Sequence, residues 1–251
     1  MLTIAYDGSV FHGWQRQPNQ ITVQGYLEKV ISQLFKREII LNGTSRTDAG
    51  VHALGQRASF KCDVNIPEDR IANVINNALC GREKSSFAIA PVRIVAAEEK
   101  PPDFHARFDC RGKKYIYRIK NSVDVDIFSR NYIYHLPERL DIEAMREAAA
   151  MIEGTHDFKC FEASGGNPRE STVKTVRSLE ILEAGEKVLE IHVTGDGFLY
   201  NMVRIITGTL VDIGTGKIDK ESVKSIIASK DRRLAGHTAP PYGLYLAEVY
   251  Y

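Results

Sequence analysis

The chain's 251 residues suffice for one or two domains, and a hydrophobic share of 43% can bury a sizeable core, which excludes a disordered protein. A net charge of +1 excludes nucleic-acid binding through bulk charge, so any such role must rest on a local cluster. The opening MLTIAYDGS lacks a basic region, and no apolar run approaches ~18 residues, so neither a signal peptide nor a membrane span is expected. A soluble, cytoplasmic protein is expected.

Residues 2–6 (LTIAY) alternate as a strand. Residues 22–37 place Val23, Leu27, Val30, Ile31 and Leu34 on one helical face behind Thr22 as N-cap. Residues 38–44 (EIILNGT) and 55–62 (GQRASFKC) are predicted strands around a turn. Residues 67–79 open with proline and acids and then keep helical spacing. Residues 87–98 are a strand pair or one broken strand. The order is β-α-β-β-α-β. The second half repeats it loosely: a strand over 113–121, a helix over 141–152, strands TVKTVRSLEIL and KVLEIHVTG joined through EAGEK, helices over 200–213 and 220–230, and a last strand in GLYLAEVY. Two split βαββαβ units predict two ferredoxin-like halves, 1–100 and 101–251, whose sheets meet edge to edge and leave a cleft. The linker is EEKPPDFHARFDCRG.

Cys62, Cys80, Cys110 and Cys160 stand 18, 30 and 50 residues apart with no CxxC pair, so they are expected as reduced, mostly packed thiols rather than zinc or redox ligands. His156-Asp157 has no partner ligands at metal spacing. No P-loop or GxGxxG is present, so neither metal nor nucleotide cofactor is expected.

Two stretches carry candidate chemistry. From His105 to Lys120 the local charge is +5, and Tyr115 and Tyr117 interleave with the cations. On a strand Tyr115, Tyr117 and Ile119 share one face, and Lys114, Ile116, Arg118 and Lys120 the other. This is either an amphipathic strand with a solvated face or a nucleic-acid surface of cations for phosphates and rings for bases. The turn NGTSRTDAGVHALGQ (42–56) gathers Arg46, Thr47, Asp48 and His52. Asp and Gly are ordinary turn formers, but that does not account for Arg46 and His52. A carboxylate presented on such a turn can attack as a nucleophile or accept a proton. Arg204, in the apolar run NMVRIITG, either snorkels or holds a carboxylate. Trp14 is either a core plug or a stacking ring.

The blocks YDGSVFHGWQRQP, SRTDAGVHALGQ, FHARF, KKYIYRI, FLYNMVRIITG and TAPPYGLYLAEV, in this order, resemble the tRNA pseudouridine synthase A family over nearly the whole chain. RTDAGVHA is the most specific of them. Ser45 departs from the glycine or alanine usual there. The resemblance implies an α+β fold of two ferredoxin-like subdomains, a mixed, mainly antiparallel sheet and a central RNA-binding cleft. It implies an isomerase, usually a homodimer, that needs no cofactor and converts uridine to pseudouridine on the 3′ side of the tRNA anticodon stem-loop (positions 38, 39 and/or 40). Position by position, it makes Asp48 the nucleophile, Tyr115 the ring on the target base and Arg204 the partner of the aspartate. It also makes Leu244 an apolar contact to the base, Arg46 a stabiliser of the flipped state and Arg107 an RNA contact. The rival readings are a non-catalytic RNA-binding protein of tandem ferredoxin-like units, and a glycosidase, which normally needs a second facing carboxylate.

Overall fold

Alternation decides the first element: Leu2, Ile4 and Tyr6 turn inward on β1 (Leu2–Tyr6). The computed structural model describes residues 1–80, 90–124, 126–166 and 170–251. The protein is α+β, with mainly antiparallel strand pairing. It divides into two compact units, one of Met1–Arg111 with Tyr245–Tyr251, the other of Gly112–Leu244.

In the first unit β1 is followed by α1 (Val23–Phe35), β2 (Asn42–Gly43), β3 (His52–Ser59), α2 (Glu68–Leu79) and β4 (Val92–Ala97). The Thr22 side chain accepts the Gly25 N–H at 3.3 Å and starts α1 where its apolar spacing begins. Pro67, Glu68 and Asp69 open α2, suited to the positive end of its dipole. β1 pairs antiparallel with both β3 and β4, and β2 with β3. Of the predicted strand over 87–98, Val92–Ala97 forms; residues 87–89 lie outside the described residues.

The strand predicted over 38–44 shrinks to two residues. Side chains of α1 take the backbone donors that a neighbouring strand would have used. The Ile39 N–H donates to Ser32 Oγ at 2.9 Å and the Leu41 N–H to Glu28 Oε1 at 2.9 Å. Glu28, on the inner face of α1, is buried for this purpose, while Val30 and Leu34 stay half-buried.

The second unit runs β5 (Gly112–Asn121), β6 (Tyr134–Leu136), α3 (Ile142–Ile152), β7 (Gly154–Asp157), β8 (Val173–Glu183), β9 (Val188–Gly195), α4 (Met202–Gly214) and α5 (Val223–Ser229). β5, β9, β8 and β7 pair antiparallel in that order, and β6 joins β5 in parallel. The EAGEK hairpin forms between β8 and β9, with Gly185 at φ +139°. The short strands β6 and β7 carry no alternating apolar signal, so the sequence does not announce them. The last strand, β10 (Leu244–Tyr250), pairs in parallel with β3, Tyr245 beside His52.

Candidate active site

The turn that carries Asp48 runs from Thr44 to Val51 in the first unit, and buried hydrogen bonds hold its backbone along its length. At its entry, the Gln56 side chain grips Ser45: Nε2 donates to the Ser45 carbonyl at 2.7 Å, and Oε1 accepts the Ser45 N–H at 3.2 Å. Thr44 Oγ1 donates to the carbonyl of Ala106 at 2.9 Å. At the centre, Thr47 is buried; its hydroxyl meets Tyr6 Oη at 2.7 Å, and its carbonyl accepts the Trp14 N–H at 3.0 Å. At the exit, the Val51 N–H donates to the Asp48 carbonyl at 3.2 Å.

His52 explains its own presence in the motif. Its ring is buried and stacks on Tyr245 with centroids 4.7 Å apart. Its Nδ1 accepts the Gly8 N–H at 3.0 Å, which places the ring proton on Nε2. The Asp7 carboxylate lies 3.4 Å from the same nitrogen. His52 therefore anchors the turn to the segment after β1. Two glycines allow that segment to come so close. A Cβ on Gly8 would sit 2.1 Å from the Val51 carbonyl oxygen, and one on Gly13, at φ +82°, 2.7 Å from that of Thr47. Trp14 is 3% exposed, its ring 6.1 Å from that of Tyr6, so it is a core plug rather than a stacking surface.

Asp48 is half-buried and Arg46 exposed on this pinned backbone. Arg107 belongs to the same unit, on an exposed loop next to Ala106, whose carbonyl is bonded to Thr44. Three of the predicted site residues thus share the first unit, and the roots of the two segments carrying them touch.

In the second unit, β5 alternates as expected, with Tyr115, Tyr117 and Ile119 inward. Tyr115 is 9% exposed and meets Phe198 edge to face at 5.2 Å. Tyr117 is fully buried and donates to the Pro240 carbonyl at 2.8 Å; burial holds its phenol well above the ordinary range. The opposite face is less available to phosphates than its sequence implies. Arg118 pairs with Glu190 at 2.9 Å, and the Lys120 ammonium donates to the Glu186 carbonyl at 2.8 Å. Arg204, in the first turn of α4, does not snorkel. Its Nε donates to the Ala239 carbonyl at 2.8 Å and its Nη1 to Asn201 Oδ1 at 2.9 Å, and its own carbonyl accepts the Ala239 N–H at 3.0 Å. Arg204 and Tyr117 thus converge on Ala239–Pro240, four residues before the buried Leu244.

His156 and Asp157 have structural partners: the histidine Nε2 lies 3.0 Å from the Glu153 carbonyl, and the aspartate pairs with Lys230 at 2.7 Å. Among the described residues no three His, Cys, Asp or Glu side chains are grouped to hold a metal ion, and no helix is long and apolar enough to cross a membrane.

A family model described as tRNA pseudouridine synthase matches residues 2–109 and 148–251. The tRNA pseudouridine synthase A 2 of Clostridium tetani is 45% identical over 252 residues, covering 100% of this chain and 97% of that protein. The chain belongs to the tRNA pseudouridine synthase family. The tRNA pseudouridine synthase A of Ruminiclostridium cellulolyticum is 44% identical over 250 residues, covering 100% and 98%. A solved archaeal box H/ACA sRNP Nop10-Cbf5 complex aligns over 98% of this chain but only 46% of the longer one, at 12% identity and a TM-score of 0.33, so the assignment stands on the sequence relatives. As a tRNA pseudouridine synthase the chain is an isomerase acting on tRNA. The family match covers Arg46, Asp48, Arg107, Arg204 and Leu244; Tyr115 falls in its gap.

The residues that sequence reasoning missed are the holders of the turn: Tyr6, Gly8, Gly13 and Gln56. Gln56 left a signal, since a large polar side chain at an inward position of a strand requires partners. The glycines left none, because close approach between segments has no local pattern.

Proposed function

We propose that this protein converts uridine to pseudouridine on the 3′ side of the tRNA anticodon stem-loop, with Asp48 as the attacking carboxylate. The observation that carries this reading is the Asp48 turn, which is fastened on both sides by buried hydrogen bonds and leaves a half-buried carboxylate between them. A reacting group placed this firmly needs little further ordering in the transition state. The isomerisation breaks the bond from ribose C1′ to uracil N1, turns the ring and joins C1′ to C5; the C5 proton is lost and N1 gains one. No atom is oxidised and no group arrives from outside.

The base must leave its stack, at a cost of a few kcal/mol. Tyr115 and Leu244 are assigned to the extruded base, Arg204 to the Asp48 carboxylate, and Arg46 and Arg107 to the RNA that holds the nucleotide out. The family resemblance also supports a homodimer working in the cytoplasm, which light scattering on the purified protein would test for the dimer.

The test uses tRNA labelled with tritium at uracil C5, since pseudouridine formation releases the label. Wild-type protein is expected to release it, and Asp48→Asn to bind tRNA with similar affinity while releasing none. Tritium release by Asp48→Asn at the wild-type rate would overturn the assignment of the carboxylate. Tight tRNA binding by the wild-type protein with no release would favour a non-catalytic RNA-binding protein.

A further inference from the structure

The loop that carries Arg107 presents a second residue whose placement calls for a ligand. Phe108 is 75% exposed, yet its ring is not loose. The His105 ring lies against it with centroids 4.3 Å apart and planes 34° from parallel, and the Arg107 guanidinium sits 5.9 Å from its centroid. The loop closes on itself: the Phe108 and Asp109 N–H groups both donate to the His105 carbonyl at 3.1 Å, the Arg107 N–H to His105 Nδ1 at 3.1 Å, and the His105 N–H to Asp109 Oδ2 at 2.8 Å.

Its root is buried. Ala106 has no exposed surface; its N–H donates to Ser59 Oγ at 3.1 Å, and its carbonyl accepts from Thr44 and from the Tyr251 phenol, each at 2.9 Å. An exposed apolar ring by itself is unremarkable on a protein surface. An exposed ring set on a hydrogen-bonded pedestal, with an imidazole and a guanidinium beside it, is preorganised for a flat partner, so little conformational freedom is lost on binding.

We propose that Phe108 is a stacking platform for an unpaired base of the tRNA, with Arg107 meeting the adjoining phosphate. The chemistry of the loop favours RNA over a protein partner. One ring offers roughly 150–250 Å², far short of the ~800 Å² that each side of a stable protein interface buries. The acid next to the ring, Asp109, accepts the His105 N–H, and the charged group at the ring itself is the Arg107 guanidinium. Aromatic faces next to cations accept any base, because every base has a π-face and every nucleotide a phosphate. This inference rests on tRNA being the substrate.

The test compares Phe108→Ala, Phe108→Leu and Phe108→Trp in the tritium-release assay, and measures tRNA binding by each in the Asp48→Asn background, where no turnover intervenes. Phe108→Ala is expected to raise KM and Kd roughly 5- to 150-fold. Phe108→Leu, which keeps apolar bulk without a flat face, should do the same. Phe108→Trp should restore near wild-type values, and its emission should be quenched by tRNA beyond the change seen for Trp14 in the wild-type protein. The salt dependence separates the two neighbours. Arg107→Ala should lower the slope of log affinity against log salt by about one, and Phe108→Ala should leave it unchanged.

A KM and Kd for Phe108→Ala within twofold of wild type would overturn the proposal. So would a leucine variant that binds as well as phenylalanine, or a changed oligomeric mass with unchanged Kd. If instead the wild-type protein releases no tritium, the enzyme reading fails on its own, and the binding series still decides the stacking.

Discussion

Gln56 and Ser45 show how one side chain can hold a backbone for another. The Gln56 amide has no exposed surface, and besides its two bonds to Ser45 its oxygen accepts the Arg57 N–H at 3.1 Å. Removing it takes a partner from the Ser45 N–H, the Ser45 carbonyl and the Arg57 N–H, and a buried group so stranded costs about 1–3 kcal/mol. Gln56→Leu is therefore expected to lower unfolding stability by about 2–4 kcal/mol, read from denaturant midpoints at unchanged slope. The other end of the same clamp predicts the opposite sign. Ser45 Oγ is buried and has no hydrogen-bond partner among the described residues. Ser45→Ala removes that stranded hydroxyl and leaves the backbone bonds intact, so it should raise stability by about 1 kcal/mol. A loss of more than about 1 kcal/mol in Ser45→Ala would show that the hydroxyl is satisfied in solution.

At the scale of elements, the turn is shaped as much by the segment after β1 as by its own residues. Gly13 has a left-handed backbone, and its missing Cβ leaves room for the Thr47 carbonyl. Gly13→Ala both strains that backbone and pushes on the peptide next to Asp48. Because a displacement of about 1 Å in a reacting group can cost on the order of a hundredfold, kcat in the tritium assay should fall by about that factor. Wild-type kcat in a folded Gly13→Ala protein would refute the coupling between this segment and the carboxylate. The same scale explains why the strand predicted over 38–44 fails. Its alternation is real, but Glu28 and Ser32 reach its N–H groups first and strap it to α1. Alternation reports which side chains want burial; it does not report which acceptor the backbone finds.

For the whole molecule, buried acids that stay protonated set the alkaline limit. Burial pushes the Cys160 thiol from 9.0 up to about 12 and the Tyr251 phenol from 10.0 up to about 12, the latter against a hydrogen bond with Thr44 that favours ionisation. Burial also holds the Tyr117 phenol well above its ordinary range. The folded chain therefore keeps protons that the unfolded chain sheds from pH 9 upward. Stability from these groups is fully present below pH 9 and declines as pH rises toward 12. Denaturant midpoints should be flat with respect to these groups up to pH 9 and then fall. Cys160→Ser should delay the fall toward pH 10, where the tyrosines begin to titrate in the unfolded chain. A midpoint that rises between pH 9 and 11 would contradict the sign.

The sequence by itself determined the α+β class, the helices α1 to α4 to within a few residues, the β8–β9 hairpin, the inward face of β5 and the turn bearing Asp48. All of these follow from spacings of two to four residues, or from a contiguous motif, so their signals are local. Only the tertiary structure decided that β10 pairs in parallel with β3, that Tyr251 and Thr44 together hold the Ala106 carbonyl, that Gln56 clamps Ser45, and that His52 anchors its turn through Gly8 and Tyr245. The physical reason is that a strand's partner and a buried polar group's satisfaction depend on atoms supplied from distant parts of the chain. No periodicity along the chain records which distant segment will supply them.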